Sequence, residues 1–367
     1  MQGLNFFRIS PYNILEGVSI INKRLVIRVC AITILPAFVA FLSVQAYYRL
    51  TPVRKEGFLL GTYIRITAYG PWAKHAVEQA MAEMAEVEEY TASDTGQVGL
   101  INRNAGVKPV RVDQDLFALI QRVLAYSAAT GGRFDPTIGP LLELWGFGYN
   151  GTGRLPGEDE IANALPLVDQ DLVILDEEAQ TVFLAKKGML LDLGGVAKGY
   201  AVDRAWEVLN ESRVWGALIN GGESSIRVLG RRPNFKPWRI GLAHPRNKGW
   251  IGIINLPPGK AISTSADTQR FFEWDGQRYS HLINPFSGYP GLDLCSATVI
   301  TDSAFTADIY STAVFVAENV DRIELLRQWQ VKGVVVDAQG ELYYTPGMKS
   351  IIRSDSEEGS YWKKKVK

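Results

Sequence analysis

One short run carries an acid, an amine and a flexible turn. Met189 to Asp203 reads Met-Leu-Leu-Asp-Leu-Gly-Gly-Val-Ala-Lys-Gly-Tyr-Ala-Val-Asp. The pattern is that of a short buried strand that stops at Gly194 and Gly195 and becomes a helix, with Asp192 before the turn and Lys198 just inside it. Paired glycines permit close backbone approach and positive φ, an opening helix offers free N–H groups to an anion, and Lys198 adds a positive charge. That is the chemistry of a phosphate cradle. Asp192 does not fit as a phosphate ligand; it fits if it accepts hydrogen bonds from a base or sugar, or faces a cation. A tight turn with a solvated lysine uses the same residues, so other parts of the chain must decide.

A second cluster lies in Thr306-Ala-Asp-Ile-Tyr-Ser-Thr-Ala-Val-Phe-Val316, read as a helix start with Thr306 as its cap. Asp308 and Thr312 stand at i and i+4 and share a face, with Ser311 beside them. Hard oxygens of this kind suit Mg²⁺, which keeps waters and takes one carboxylate together with phosphate oxygens. The reading expects an exposed helix-start carboxylate at Asp308, whose loss would leave the fold intact; a plainly capped helix is the alternative. Lys260 to Arg270 is dense in hydroxyls, and Arg278-Tyr-Ser-His-Leu-Ile-Asn-Pro-Phe-Ser-Gly-Tyr-Pro290 follows a hairpin turn at Asp275-Gly276. His281 stands between a strand and a Pro-Gly turn, where side chains reach ligands. His75 reads as a surface residue and His244 as a turn residue, so the three histidines form no His-rich metal site.

These residues need a scaffold. Leu59 to Tyr69 reads as a first strand, and Ala73 to Tyr90 as a helix with Val77, Met81, Met84 and Val87 on its core face. The polar stretch Thr91 to Asn104 fits neither a strand nor a core helix and is placed over a ligand. Asp115 to Thr130 is a second helix, stopped by Gly131-Gly132, and Arg133 to Pro140 is a turn leading into Leu141 to Gly148. Strands at Leu172 to Leu175 and Thr181 to Leu184 flank a hairpin, and Trp215 to Leu229 forms two strands about a second paired-glycine turn. Trp238 to Pro245 and Gly249 to Leu256 continue as strands, and Cys295 reads as a core residue. With no repeat of solenoid period, the part after the N-terminal run is expected to be one α+β domain.

Lys plus Arg equals Asp plus Glu at 39 each, so no basic field favours nucleic acid. Val29 to Tyr48 is uncharged and long enough to cross a bilayer despite Pro36. The expected organisation is a cytoplasmic segment over 1–28, one transmembrane anchor over 29–48 and a catalytic domain over 49–367 facing the periplasm or cell exterior. Basic residues on both sides leave only a slight positive-inside bias, and Val44-Gln45-Ala46 leaves a cleaved signal segment as the alternative. Cys30 and Cys295 are too separate in context for a disulfide. Lys363 to Lys365 and Lys367 read as a solvated terminus.

Taken together, Arg133-Phe-Asp-Pro-Thr-Ile-Gly-Pro, Leu191-Asp-Leu-Gly-Gly-Val-Ala-Lys-Gly-Tyr-Ala-Val-Asp, Asn220-Gly-Gly, Ser263-Thr-Ser, Ser280-His-Leu-Ile-Asn-Pro-Phe-Ser-Gly and Thr306-Ala-Asp-Ile-Tyr-Ser-Thr-Ala resemble the FAD:protein FMN transferase family, also called ApbE-like. The resemblance runs from about Leu59 to the C-terminus. It implies a single ApbE-like, T-fold-like α+β domain with mixed, largely antiparallel sheets and packed helices. It also implies a Mg²⁺-dependent transfer of FMN from FAD onto a Thr or Ser hydroxyl of a membrane-associated redox subunit, with AMP released, on the outer side of the cytoplasmic membrane. By motif position, Asp308 and Thr312 would bind metal, with Ser311 near them and the Gly195 carbonyl as a further ligand. Leu60, Tyr90, Arg133, Phe134, Asp135, Asp192, Lys198, His281 and Ile283 fall where the family contacts FAD, and His281 would activate the acceptor. Ala266-Asp267 replaces the usual Gly-Asp, Glu223 is the acid after Asn-Gly-Gly, and the spacing from Tyr90 to Asn102 departs from the family pattern. Rival readings are a flavin-binding module without transfer and an FAD pyrophosphatase that uses water as acceptor.

Overall fold

Eight strands lie side by side in one sheet in the order in which the chain reaches them, every neighbouring pair antiparallel. They are β1 (Val53–Leu59), β2 (Thr62–Tyr69), β3 (Gly216–Gly221), β4 (Ser225–Gly230), β5 (Ala261–Ala266), β6 (Leu294–Thr301), β7 (Lys332–Asp337) and β8 (Leu342–Tyr344). The structure is a computed structural model, and it describes residues 34–148, 151–318 and 320–353. The expected strand Leu59 to Tyr69 is in fact the second half of a hairpin. Leu60 (φ 54°) and Gly61 (φ 67°) take the left-handed conformation that a two-residue turn between right-twisted strands requires.

Alternation along the strands gives the sheet two different faces. On one face pack the helices α1 (Ala73–Thr91), α2 (Gly194–Glu211) and α3 (Ala304–Val316). Ile64, Ile66, Ala217 and Ile219 bury there against Val77, Met84, Val196 and Val202. On the other face Ile226, Val228, Ile262 and Val336 meet Trp238, Ile240 and Ile254 of a three-stranded sheet, with Cys295 in the same core. The consequence for β5 is direct: Ile262 faces this second core while Ser263 and Ser265 face α3. Between α1 and α2 the chain makes the amphipathic helix Gln114–Ala129, closed by Gly131 (φ 63°) and Gly132 (φ 75°), and a small sheet that includes Val173–Asp176 and Thr181–Leu184.

Several local readings need correction. Thr91 to Asn104 holds a short helix, Gln97–Arg103, because Val98 and Ile101 recur at helical spacing and bury on one side. Met189 to Leu193 is not a strand; Leu190 alone bridges to Ile138, and the helix begins at Gly194, so Lys198 stands a full turn inside it. Ser303, not Thr306, caps α3, its hydroxyl accepting the Thr306 N–H.

The chain divides into two compact units between Thr51 and Pro52. In the first, Leu35–Leu50 is a 16-residue helix with Pro36 in its opening turn and Arg49 in its last. Among the described residues no helix is long and apolar enough to cross a membrane. The first residues of the expected anchor, the segment 1–28, Cys30 and the Lys363 to Lys367 terminus lie outside the described residues.

Candidate active site

Helices α2 and α3 come together at Gly199. A side chain there would put a Cβ 2.4 Å from the Ala304 carbonyl oxygen and 2.6 Å from Asp308 Oδ2, so only glycine allows the approach. The Gly199 N–H donates to Asp308 Oδ2 at 2.8 Å, the Ser225 hydroxyl to Oδ1 at 2.6 Å, and the Ser263 hydroxyl to Oδ1 as well. Asp308 is therefore not the exposed carboxylate that its position near a helix start suggests: it is 5% exposed and sits between two helices and the sheet. Burial pushes its carboxyl above the ordinary range, against the pull of Lys198 and the hydrogen bonds from Ser225, Ser263 and Gly199.

Lys198, the residue of α2 before Gly199, has no ion pair or hydrogen bond among the described residues. Three groups from separate parts of the chain share its field: Asp308, Asp192 and His281. Asp192 Oδ1 accepts the Gly194 N–H at 2.8 Å, which ties it to the first turn of α2. Desolvation raises its carboxyl, opposed by that bond, by Arg270 and by Lys198. His281 Nδ1 lies 3.2 Å from the Arg270 carbonyl oxygen. A carbonyl only accepts, so Nδ1 carries the hydrogen and Nε2 keeps its lone pair. Burial, then the charges of Lys198 and Arg270, lower His281 to about 4, so it is a neutral imidazole at physiological pH.

The run from Arg133 lies alongside this group. Phe134 packs its ring on the first turn of α2, where a Cβ at Gly195 would come 3.2 Å from Phe134 Cε2, and the Pro136 carbonyl accepts the Asp192 N–H at 2.8 Å. Asp135 and Arg133 are engaged locally. Asp135 Oδ1 accepts the Thr137 N–H at 2.8 Å and its hydroxyl at 2.6 Å, and burial raises its carboxyl. The Arg133 guanidinium curls back to the Thr130 carbonyl at 3.1 Å. Ile283 is buried with Trp145 and Phe147 in a small separate core. Leu60 sits in the β1–β2 turn with its N–H on Glu88 Oε1 at 2.7 Å. Tyr90 is not brought to the group: it lies against Tyr200, burial and that neighbour raising its hydroxyl, and Tyr200 projects about 200° round α2 from Lys198.

Oxygen donors gather where α2 meets α3. In a helix the Gly199 N–H points at the Gly195 carbonyl, and here it reaches Asp308, so carbonyl and carboxylate converge on one donor. Thr312 is half-exposed with Oγ1 3.2 Å from Ser265 Oγ. Ser311 is fully buried, bonded to the Asp308 carbonyl at 3.1 Å and to Ser265 Oγ at 2.9 Å, and so turns toward the sheet. One carboxylate, hydroxyls and a carbonyl make a hard donor set that fits Mg²⁺ rather than a softer metal. Among the described residues no group of three or more His, Cys, Asp or Glu side chains stands ready for a metal.

The ApbE family model matches residues 60–336, well over half of the chain. The chain belongs to the ApbE family. The FAD:protein FMN transferase of Treponema pallidum is 30% identical over 302 residues, covering 77% of this chain and 83% of that protein. The FAD:protein FMN transferase of Klebsiella pneumoniae is 40% identical over 222 residues, 60% of this chain and 67% of that one. The crystal structure of the ApbE protein of Thermotoga maritima superposes with a TM-score of 0.77 at 33% identity, covering 83% of this chain and all 100% of the other. The apo flavinyl transferase ApbE of Pseudomonas stutzeri gives 0.72 at 28% identity, covering 82% and 96%. The α+β architecture with antiparallel sheets is thus the ApbE fold.

Within that ApbE fold, four residues matter to which motif reading gave no role. Ser225 and Ser263, cross-strand partners on β4 and β5, hold the Asp308 carboxylate with their hydroxyls on the face toward α3. Asp203 caps α3, accepting from Ser303 Oγ at 2.5 Å, the Ala304 N–H at 2.8 Å and the Phe305 N–H at 3.1 Å, and pairs with Arg227 at 2.8 Å. It fixes the register of α2 against α3, and so of Lys198 against Asp308. Arg270, the fourth, closes the ring round His281, and nothing in its local sequence announces that.

Proposed function

We propose that this ApbE-family chain is an FAD:protein FMN transferase, moving the FMN part of FAD onto a Thr or Ser hydroxyl of a partner redox protein and releasing AMP. The observation that carries the reading is Lys198: a cation without an ion pair or hydrogen bond among the described residues, faced by Asp192, His281 and Asp308 from three other places in the chain. A pyrophosphate fits that charge beside the first turn of α2. In the reaction the acceptor oxygen bonds to the FMN-side phosphorus and the bond from that phosphorus to the bridging oxygen breaks. AMP departs with the bridging oxygen, and the acceptor proton goes to His281 Nε2. Asp192 orients the bound nucleotide as an acceptor of its hydrogen bonds. Asp308, Thr312 and the Gly195 carbonyl would hold Mg²⁺, with Ser311 behind them, and the ion would neutralise charge on the separating phosphates.

Incubating the chain with FAD, Mg²⁺ and candidate redox subunits, then weighing the subunits by mass spectrometry, tests this reading. Covalent FMN on an acceptor Thr or Ser with AMP in equal amount supports it. Free FMN with AMP and an unmodified acceptor indicates the pyrophosphatase instead, and neither product indicates a flavin-binding module.

We further place the reaction on the outer face of the cytoplasmic membrane, with a membrane-bound acceptor. The support is the uncharged run Val29 to Tyr48: a tether would hold enzyme and acceptor in one plane and raise their effective concentration. A topology reporter fused after Lys367 should be active only outside the cytoplasm, and cytoplasmic activity would overturn the placement without touching the chemistry.

A further inference from the structure

Arg270 meets His281 twice through its backbone. Its carbonyl accepts the His281 backbone N–H at 3.0 Å and lies 3.2 Å from the ring Nδ1. Its side chain reaches the other wall of the same pocket: Nη2 donates to the Phe147 carbonyl and lies 3.4 Å from that of Gly148. Phe147 in turn stands edge-on to the imidazole, ring centroids 6.4 Å apart, and is itself packed on Phe272 at 5.7 Å. One residue therefore fixes the hydrogen on the ring, the backbone just after the strand Gln277–Ser280 that carries the ring, and the aromatic wall against the ring. Its charge lies in the field of both His281 and Asp192.

We propose that Arg270 is the positioning residue of His281, holding the imidazole with its hydrogen on Nδ1 and its Nε2 lone pair free for the acceptor hydroxyl. The proposal rests on the reading of His281 as the acceptor-activating base. A base that must take a proton at physiological pH has to be uncharged and correctly turned beforehand. Backbone contact supplies the turn. Two cations, Lys198 on α2 and Arg270 in the bend just before the strand Phe271–Trp274, face the ring, and both disfavour a third positive charge there. Arg270 is exposed as a whole, so its replacement removes a fork and a charge without opening a core.

The test uses the full chain in detergent with ¹⁵N-labelled histidine, following the ring nitrogens by NMR from pH 8 to pH 3.5. The chain holds three histidines, and the spectrum of His281→Gln identifies the signals of interest. Wild type should show Nδ1 protonated and Nε2 bare at neutral pH, with a titration midpoint at about 4. Arg270→Gln should raise that midpoint by about one pH unit toward the ordinary imidazole range. Arg270→Lys keeps the charge and should keep the midpoint near wild type, while losing the fork onto Phe147 and Gly148. In transfer assays the acid limb of the pH–rate profile should move with the midpoint, whereas a merely structural role would scale the rate equally at every pH. A wild-type ring protonated on Nε2, an unmoved midpoint in Arg270→Gln, or an equal shift in Arg270→Lys overturns the proposal. Because the NMR readout needs no flavin, these outcomes stay separate from a failure of the transfer reaction itself.

Discussion

Replacing Asp308 by alanine should unfold the enzyme at a markedly lower temperature, quite apart from what it does to activity. The carboxylate is 5% exposed and takes hydrogen bonds from the Gly199 N–H, the Ser225 hydroxyl and the Ser263 hydroxyl. Alanine leaves those donors facing a gap. The serine hydroxyls can turn to other acceptors and the Gly199 N–H keeps the Gly195 carbonyl of its own helix, so each of the three donors loses less than the roughly 1–3 kcal/mol of a fully unsatisfied group, and the losses add. Losing the buried network in this way costs about 3–5 kcal/mol. Against it stands the relief of a desolvated charge, since burial raises this carboxyl. Asparagine isolates that term: it keeps an oxygen for the serines while presenting an NH₂ to the Gly199 N–H, and should cost about 1–2 kcal/mol. For a domain of this size the alanine variant should melt about 6–12 °C below wild type and the asparagine variant only a few degrees below. Calorimetry of the metal-free protein measures both. A melting temperature for Asp308→Ala within a degree of wild type would refute the description of Asp308 as a buried structural hub and restore the picture of an exposed helix-start acid.

Lys198→Ala should weaken FAD binding by about 10- to 100-fold, the worth of a charge-assisted contact to the pyrophosphate, while leaving riboflavin binding unchanged; equal losses in calorimetric titrations would point to a folding role. Gly199→Ala should destabilise by about 1–3 kcal/mol and lower activity, because the new Cβ meets backbone at Ala304 and not a movable side-chain tip, and wild-type melting would argue that α2 and α3 are less tightly apposed. His281 gives a pH signature. Its folded pKa is lowered from 6.5 to about 4, so the stability it contributes is present above 6.5 and is lost as pH falls through that interval. The whole term is at most about 3 kcal/mol, less where water screens the half-buried ring, and His281→Gln should flatten the fall in melting temperature between pH 6.5 and 4.

What the sequence discloses about this site follows the range of each interaction. The helix start at Gly194-Gly195, the shared helix face of Asp308 and Thr312 and the hairpin at Asp275-Gly276 are legible because each is written within a turn or two of chain. Alternation and helical spacing likewise indicate α1, the Gln114–Ala129 helix and most strands. Burial of Asp308 is different in kind. It depends on Gly199 of α2 and on serines of β4 and β5, parts of the chain that no local period connects. Thr306 is misread as a cap for the same reason: the groups that finish α3 are Ser303 and Asp203, the second a hundred residues upstream.

The same distinction explains why an exposed acid was the natural reading and why the buried one makes better chemistry. An exposed carboxylate at a helix start would be screened by water and free to rotate. Asp308 is instead held by a helix N–H on one oxygen and hydroxyls on the other, and it shares the field of Lys198 with Asp192 and His281. Charges placed this way are already oriented before any substrate arrives, and a group transfer whose work is mainly the placement of oxygens about phosphorus gains from that more than from any single reactive side chain. The sheet runs its strands in sequence order, so insertions between neighbours, such as the Arg133 to Ile138 turn and the hairpin between Arg270 and His281, can be added without disturbing the ladder. The hydroxyls facing α3 from β4 and β5 then bear on two things at once, the stability of the ladder's helical face and the orientation of the acid, which is why a change at Ser225 or Ser263 should register in both.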